Sequence, residues 1–341
     1  MSSIRVAIVG YGVIGKRVAD AVQAQPDMSV SGVCDVSTDH RVALARLRGF
    51  GLFGPSPADV ERMAAEGVRV MGTLDDLLAA SDVVVDCTPK GVAAANKPLY
   101  EAMGVRAIFQ GGEPHSLTGH SFVAQANYES ALDRGSTRVV SCNTTATVRV
   151  LGALERCGLV RARGVLLRRA TDPWESHLGG IMNTIVPERQ IPSHQAEDAR
   201  TVLPELDIVT MACKVSQTLS HVHYWWAELA SPCSRDDVLD VLRAAPRVAL
   251  IRAADGMGSI NAVLEATRDA GRPRGDLWEV ALWEDILHTQ GREVFFCHQV
   301  DNQAIVVPET IDAIRALTGA LTDGAASIQR TDAALGLGGL I

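Results

Sequence analysis

The chain has 341 residues, a length that suits two hydrophobic cores better than one. Hydrophobic residues make up 47% and charged residues 21%, ordinary globular proportions that exclude a disordered chain. The net charge of −8 excludes nonspecific binding along a nucleic-acid backbone, which would repel it. The N-terminus runs straight into an apolar strand with no basic segment before it, and no apolar run is long enough to span a bilayer, so a cytoplasmic protein is expected. The cysteines, Cys34, Cys87, Cys142, Cys157, Cys213, Cys233 and Cys297, are odd in number and form no CxxC pair, which argues against a disulfide framework or a zinc site.

Ile4–Val9 is a near-continuous apolar run, the pattern of a strand buried on both faces. A glycine-rich turn and a helix over Lys16–Gln23 follow, then a second strand, Met28–Val33. Further strands are predicted at Val68–Met71, Val83–Asp86, Ala107–Gln110 and Arg138–Val140, with helices such as Thr73–Ala80 and Gly91–Met103 between them. Alternating strands and helices give a doubly wound parallel sheet, an α/β Rossmann domain. After Cys142 a helix is predicted over Thr145–Arg156, then strands at Gly164–Arg169, Val209–Val215, His221–Leu229, Val248–Ile251 and Val294–Val300. This is the signature of an α+β domain with a largely antiparallel sheet. Ser234 with Asp237 reads as a capping box for a helix to about Ala244, and Pro308 suits the first turn of a last helix, Glu309–Leu321. The tail after Gly324 is weakly patterned and carries no predicted element.

Gly10, Gly12 and Gly15 match G-x-G-x-x-G, and a strand before and a helix after supply the context that makes the pattern informative. Gly10 makes the tight turn, Gly12 lets a pyrophosphate approach the backbone, and Gly15 lets the helix pack on the sheet. Asp35 ends the second strand, twenty residues after Gly15. A carboxylate there accepts from ribose hydroxyls and repels a 2′-phosphate, which points to NAD rather than NADP.

Cys142 lies between a strand and a helix, in Ser141-Cys142-Asn143-Thr144-Thr145. The positive end of a helix dipole lowers a thiol pKa and enriches the thiolate, and the Asn143 amide can stabilise an oxyanion. The other cysteines in apolar runs read as core. His221 and His223, two apart, point to one face of their strand.

The run V-V-S-C-N-T-T at 139–145 resembles the nucleophile motif of the archaeal-type (type II) phosphorylating glyceraldehyde-3-phosphate dehydrogenases. The resemblance continues through G-Y-G-V-I-G-K-R-V-A-D-A-V at 10–22, Q-G-G-E at 110–113, R-R-A-T-D-P at 168–173, P-S-H at 192–194, T-L-S-H-V-H at 218–223, S-R-D-D at 234–237, A-D-G at 254–256 and I-V-V-P-E at 305–309. These pieces occur in order over nearly the whole chain, and the set is specific although no single piece is. It implies a dinucleotide-binding domain over 1–141 with 304–341 returning to it, and a catalytic domain over 142–303.

It also implies roles. Cys142 would be the nucleophile and His221 the base that takes its proton, with His223 second. Val13 and Ile14 would contact the cofactor through their backbone, beside Gly111, and Arg169 and Asn302 would contact it too. Ser141, Asn143, His194 and Gln195 would line the substrate or phosphate site. The partners implied are glyceraldehyde 3-phosphate, inorganic phosphate, NAD or NADP, and further copies of the chain in a homotetramer.

The sequence departs from the family at several of these positions. The family usually has a second histidine at Gln195, a glutamine at Asn302 and often a lysine at Asp35, and Trp174, Trp225 and Trp226 are unusual for it. Two other readings are compatible with the same residues: the thiol chemistry acting on another aldehyde, such as a phosphonate or a semialdehyde, and a dinucleotide-binding protein without catalysis.

Overall fold

The computed structural model describes residues 3–110 and 112–338, and it divides into two compact units. Gly111, expected beside the cofactor, lies outside the described residues. The first unit joins Met1–Ser141 to Val306–Gly336, and the second is built from Cys142–Ile305.

The first unit holds a wholly parallel sheet of β1 (Ile4–Val9), β2 (Met28–Cys34), β3 (Leu52–Phe53), β4 (Val83–Asp86), β5 (Arg106–Phe109), β6 (Ser121–Phe122) and β7 (Ser136–Val139), in the order β3-β2-β1-β4-β5-β7-β6. The chain leaves β1 toward β2 on one side and returns to β4 on the other, so the C-terminal end of β1 is a topological switch point, where doubly wound sheets bind ligands. Val6, Ile8, Val83, Val84 and Val85 are fully buried, as continuous apolar strands covered on both faces require.

Two expectations are corrected. Val68–Met71 is not a strand; it runs as coil, with Met71 donating its N–H to the Leu52 carbonyl at 2.7 Å beside the short strand that was not anticipated. The apolar run there covers an edge without building a ladder. The last helix also begins earlier than expected, at Val306, ends at Thr318, and is followed by another, Gly324–Leu335. That final helix buries Gly324, Ser327, Ile328 and Thr331, a stripe of small and polar residues at helical spacing that leaves almost no hydrophobic periodicity to read. Asp323 caps it by accepting from the N–H groups of Ala325 and Ala326.

The second unit holds a mixed, largely antiparallel sheet of β8 (Leu159–Arg169), β9 (Val186–Pro187), β10 (Ile208–Val215), β11 (His221–Leu229), β12 (Val248–Ile251), β13 (Val280–Trp283), β14 (His288–Gln290) and β15 (Glu293–Val300). Its order is β12-β13-β15-β11-β8-β10-β9, with β14 on β15. β11 sits at the centre, antiparallel to both β8 and β15. The helix Cys142–Leu154 packs against β8, β13 and β15, starting three residues before the predicted boundary. Ser234 and Asp237 form the expected capping box.

Candidate active site

In the first unit the glycine loop takes the shape its sequence demands. Gly10 has φ of +86°, a left-handed conformation, and a Cβ at Gly15 would lie 1.9 Å from the Gly10 carbonyl oxygen. Those two glycines are required by the turn and by its packing. Gly12 is required by neither, since a Cβ there would meet no atom within 4 Å. Its open space, and the absence of any side-chain cap on the helix Val13–Ala24, leave first-turn N–H groups at Val13 and Ile14 for an anionic ligand. Asp35 is held against this loop. One carboxylate oxygen accepts from the Tyr11 N–H at 2.7 Å and the other from the Ser37 N–H at 2.7 Å. Arg41 lies on the next segment, bound to Ser37 Oγ at 2.9 Å and to Asp39. These residues fit a nicotinamide dinucleotide.

In the second unit the helix opens at Cys142, whose Sγ lies 3.3 Å from His221 Nε2. His221 is the first residue of β11 and is buried. Its other nitrogen, Nδ1, accepts a hydrogen bond from the main-chain N–H of Arg169 at 3.0 Å. His223 does not meet the sulfur; its Nε2 donates to Asn143 Oδ1 at 2.9 Å. Behind it His298, its cross-strand neighbour, accepts from Trp225 Nε1 at 3.0 Å, and the two imidazole centroids stand 4.8 Å apart.

A frame that the sequence did not reveal fixes His221 from the side. Ser220 has φ of +68°, a left-handed conformation unusual for a residue with a Cβ. Its N–H donates to Asn302 Oδ1 at 2.9 Å, and its Oγ accepts from Gln299 Nε2 at 2.9 Å. Asn302 Nδ2 donates to Asp172 Oδ1 at 3.0 Å, and Asp172 Oδ2 accepts from Arg169 at 3.0 Å. Asn302, expected against the cofactor, has both ends of its amide engaged here and braces the turn into β11.

Arg168 and Arg169 end β8, and the Nε of each is buried without a hydrogen-bond partner among the described residues. Arg168 pairs with Glu188, whose second oxygen stands 3.8 Å from His194 Nδ1. His194 is exposed, whereas Gln195 is buried, contacting Ser193 Oγ and His194 Nε2 at 2.5 and 3.1 Å. Gln195 thus orients His194. Ser141, which ends the first of the two segments of the first unit, is partly exposed.

The electrostatics correct one expectation. Burial pushes the Cys142 thiol up to about 11, against the lowering influence of Arg169, the Asn143 N–H and Arg168. The helix terminus is present, but desolvation outweighs it, so the resting group is a thiol. Burial, then the charges of Arg169 and Arg168, hold His221 well below the ordinary histidine value, which keeps it neutral. Alkylation of Cys142 by iodoacetamide, followed by peptide mass spectrometry, is expected to accelerate with pH well into the alkaline range. A plateau already reached by about pH 8 would mean a thiolate-rich resting state instead.

The profile of the glyceraldehyde 3-phosphate dehydrogenase C-terminal domain matches residues 141–270, and that of the dihydrodipicolinate reductase N-terminus matches 4–110. The chain is 42% identical to glyceraldehyde-3-phosphate dehydrogenase 2 of Methanosarcina barkeri over 99% of both chains. It is 43% identical to the glyceraldehyde-3-phosphate dehydrogenase of Methanosarcina mazei over 99% of this chain and 100% of that one. Against the enzyme of that name from Metallosphaera sedula the identity is 44% over 98% of each. With identity of this order along its whole length, the chain belongs to the glyceraldehyde-3-phosphate dehydrogenase family.

Proposed function

We propose that this protein catalyses the phosphorylating oxidation of glyceraldehyde 3-phosphate, or its reversal, through a thioester on Cys142. The observation that carries the reading is the 3.3 Å contact between Cys142 Sγ and His221 Nε2, beside the two arginines that end β8. Cys142 adds to the aldehyde carbonyl to give a thiohemiacetal, whose oxidation leaves a thioester that inorganic phosphate cleaves to an acyl phosphate. A bound nicotinamide dinucleotide supplies the hydride acceptor. Asn143, oriented by His223, presents its amide N–H groups near the reacting carbon. Arg168, Arg169 and His194 supply positive charge and donors for phosphate groups.

In this reading the first unit holds the dinucleotide through Gly10, Gly12, Val13, Ile14 and Gly15, and the second does the thiol chemistry. Val165, Met211 and Tyr224 leave an exposed apolar face on the mixed sheet, which supports self-association, a tetramer by family resemblance. No helix among the described residues is long and apolar enough to cross a membrane, and seven unpaired cysteines suit a reducing cytoplasm. The test is dinucleotide reduction followed at fixed pH across a panel of aldehydes, with and without phosphate. Turnover that ignores phosphate removes the phosphorylating step. A better aldehyde in the panel reassigns the substrate.

The cofactor preference follows from Asp35. Each of its oxygens has a lone pair left for a ribose hydroxyl, and its charge opposes a 2′-phosphate. A charged contact of this kind is worth roughly 1.5–3 kcal/mol, about tenfold to a hundredfold in affinity. The wild type is expected to prefer NAD at least about tenfold in kcat/KM, and Asp35→Ser to lose that preference. A wild type that already prefers NADP would instead assign the phosphate to Arg41 and Ser37.

A further inference from the structure

We propose that Cys157 and Cys233 form a reversible dithiol–disulfide site at the end of the nucleophile's helix remote from Cys142, closed by exchange with a small disulfide such as oxidised glutathione. The site lies beyond the aldehyde chemistry and uses neither Cys142 nor His221.

The end of a β-ladder brings two distant segments side by side. Leu159 of β8 pairs with Leu229 of β11. One residue further out, the Ala230 N–H donates to the Gly158 carbonyl at 2.8 Å, and a Cβ at Gly158 would lie 3.3 Å from that of Ala230. Cys157 precedes Gly158 and closes the 3-10 turn Glu155–Cys157, which prolongs the helix Cys142–Leu154. Cys233 follows Ala230 and immediately precedes Ser234, the cap of the helix Arg235–Arg243, and that helix packs on both the turn and the helix Cys142–Leu154. Between these segments the Cys157 and Cys233 thiols are hydrogen-bonded to each other.

Both ends are held in place before any reaction. Gly158 has φ of +74°, a left-handed conformation, and its N–H donates to the Glu155 carbonyl at 2.9 Å. On the other side Ser234 and Asp237 lock the start of the next helix through their capping box. Two sulfurs fixed in contact react as one dithiol, because the cost of bringing them together is already met by the fold. Both cysteines are partly exposed, so a small solute reaches them. Along the helix axis the pair stands roughly 20 Å from Cys142, too far for the nucleophile to take part.

Burial, then the adjoining Cys233, raise the Cys157 thiol above its ordinary value, so Cys157 keeps its proton and Cys233 takes the first step. Cys233 gives its proton to solvent and its sulfur attacks one sulfur of the small disulfide. That S–S bond breaks, and one small thiolate leaves and is protonated. Cys157 then loses its proton to solvent and attacks the Cys233 sulfur of the mixed disulfide, expelling the second small thiolate, which is protonated in turn. Two electrons pass from the protein dithiol to the small disulfide, giving one protein disulfide and two small thiols. The new bond encloses the segment 157–233, which holds Arg168, Arg169, His194 and His221. A ring of that length removes much of the freedom of the unfolded chain, so the oxidised form is the more stable.

The full chain, carrying Cys142→Ser to keep the nucleophile out of the exchange, is equilibrated with oxidised and reduced glutathione, alkylated, digested and analysed by mass spectrometry. A peptide joining Cys157 to Cys233, opened again by dithiothreitol, is expected. The thermal midpoint of the bridged form is expected to lie roughly 5–10 °C above that of the reduced form. Neither Cys157→Ser nor Cys233→Ser should show that rise. Glutathione retained on either cysteine without a bridge, a bond between two copies of the chain, a bridge that forms only after unfolding in urea, or a bridged form no more stable than the reduced one each overturns the proposal.

Discussion

Cys142→Ser and Cys142→Ala are expected to abolish turnover, by about 10⁴-fold or more, while leaving dinucleotide affinity at its wild-type value. The residues that hold the dinucleotide in the proposed reading, from Gly10 to Gly15 and Asp35, all belong to the first unit, so removing the sulfur leaves them untouched. Serine is no substitute. Its hydroxyl is far less acidic than a thiol, and His221, whose basicity burial lowers well below the ordinary histidine value, is too weak a base to compensate. Rapid-quench detection of the acyl intermediate and a fluorescence titration with the dinucleotide check the two halves. Turnover of Cys142→Ser within tenfold of wild type would move the nucleophile elsewhere.

The largest expected loss of stability comes from Arg315→Leu. Arg315 is fully buried in the helix Val306–Thr318, where it donates to Asp27 at 2.8 Å, to Gln25 Oε1 at 2.7 Å and to Thr331 Oγ1 at 2.6 Å, with Asp312 at 3.8 Å. Asp312 is itself fully buried. Deleting the cation strips two carboxylates of its charge, a defect worth about 3–5 kcal/mol. Urea unfolding of the first unit measures it, and a loss below about 1 kcal/mol would contradict the assignment. The pH dependence has a definite sign. Burial raises the Asp27 carboxyl, but its bonds to Arg315 and Arg330 lower it further, for a net depression. A depressed carboxyl contributes stability above its unfolded value and loses it as the pH falls through the folded one. The wild type should therefore weaken in acid more steeply than Arg315→Leu, which has lost most of that contribution.

The features legible in the sequence are those that local chemistry dictates. Gly10, Gly12 and Gly15 follow from a turn, an approach and a packing contact within six residues, and Cys142 from its place at a helix start. His221 was legible through the alternation of its strand and the family resemblance. What the sequence hid depends on strand register. Nothing in the chain order says that residue 169 donates its N–H to residue 221, or that Asn302 reaches Ser220 and Asp172. The thiolate expectation rests on the helix end, which is local, whereas the burial that pushes the Cys142 thiol up to about 11 depends on tertiary packing. The helix Gly324–Leu335 escaped because its packed stripe is made of glycine, serine and threonine around Ile328.

Both partners of the sulfur–imidazole contact belong to Cys142–Ile305, and so do the main-chain donor and the amide brace that fix the ring. Two different family profiles describe the two parts of the chain, one for residues 4–110 and one for 141–270. The reactive pair therefore lies wholly within the segment that one of the two profiles describes. A substitution at Asp35 that changes the choice of dinucleotide therefore alters none of the four residues Cys142, His221, Arg169 and Asn302, and cofactor preference is separable from the sulfur–imidazole geometry.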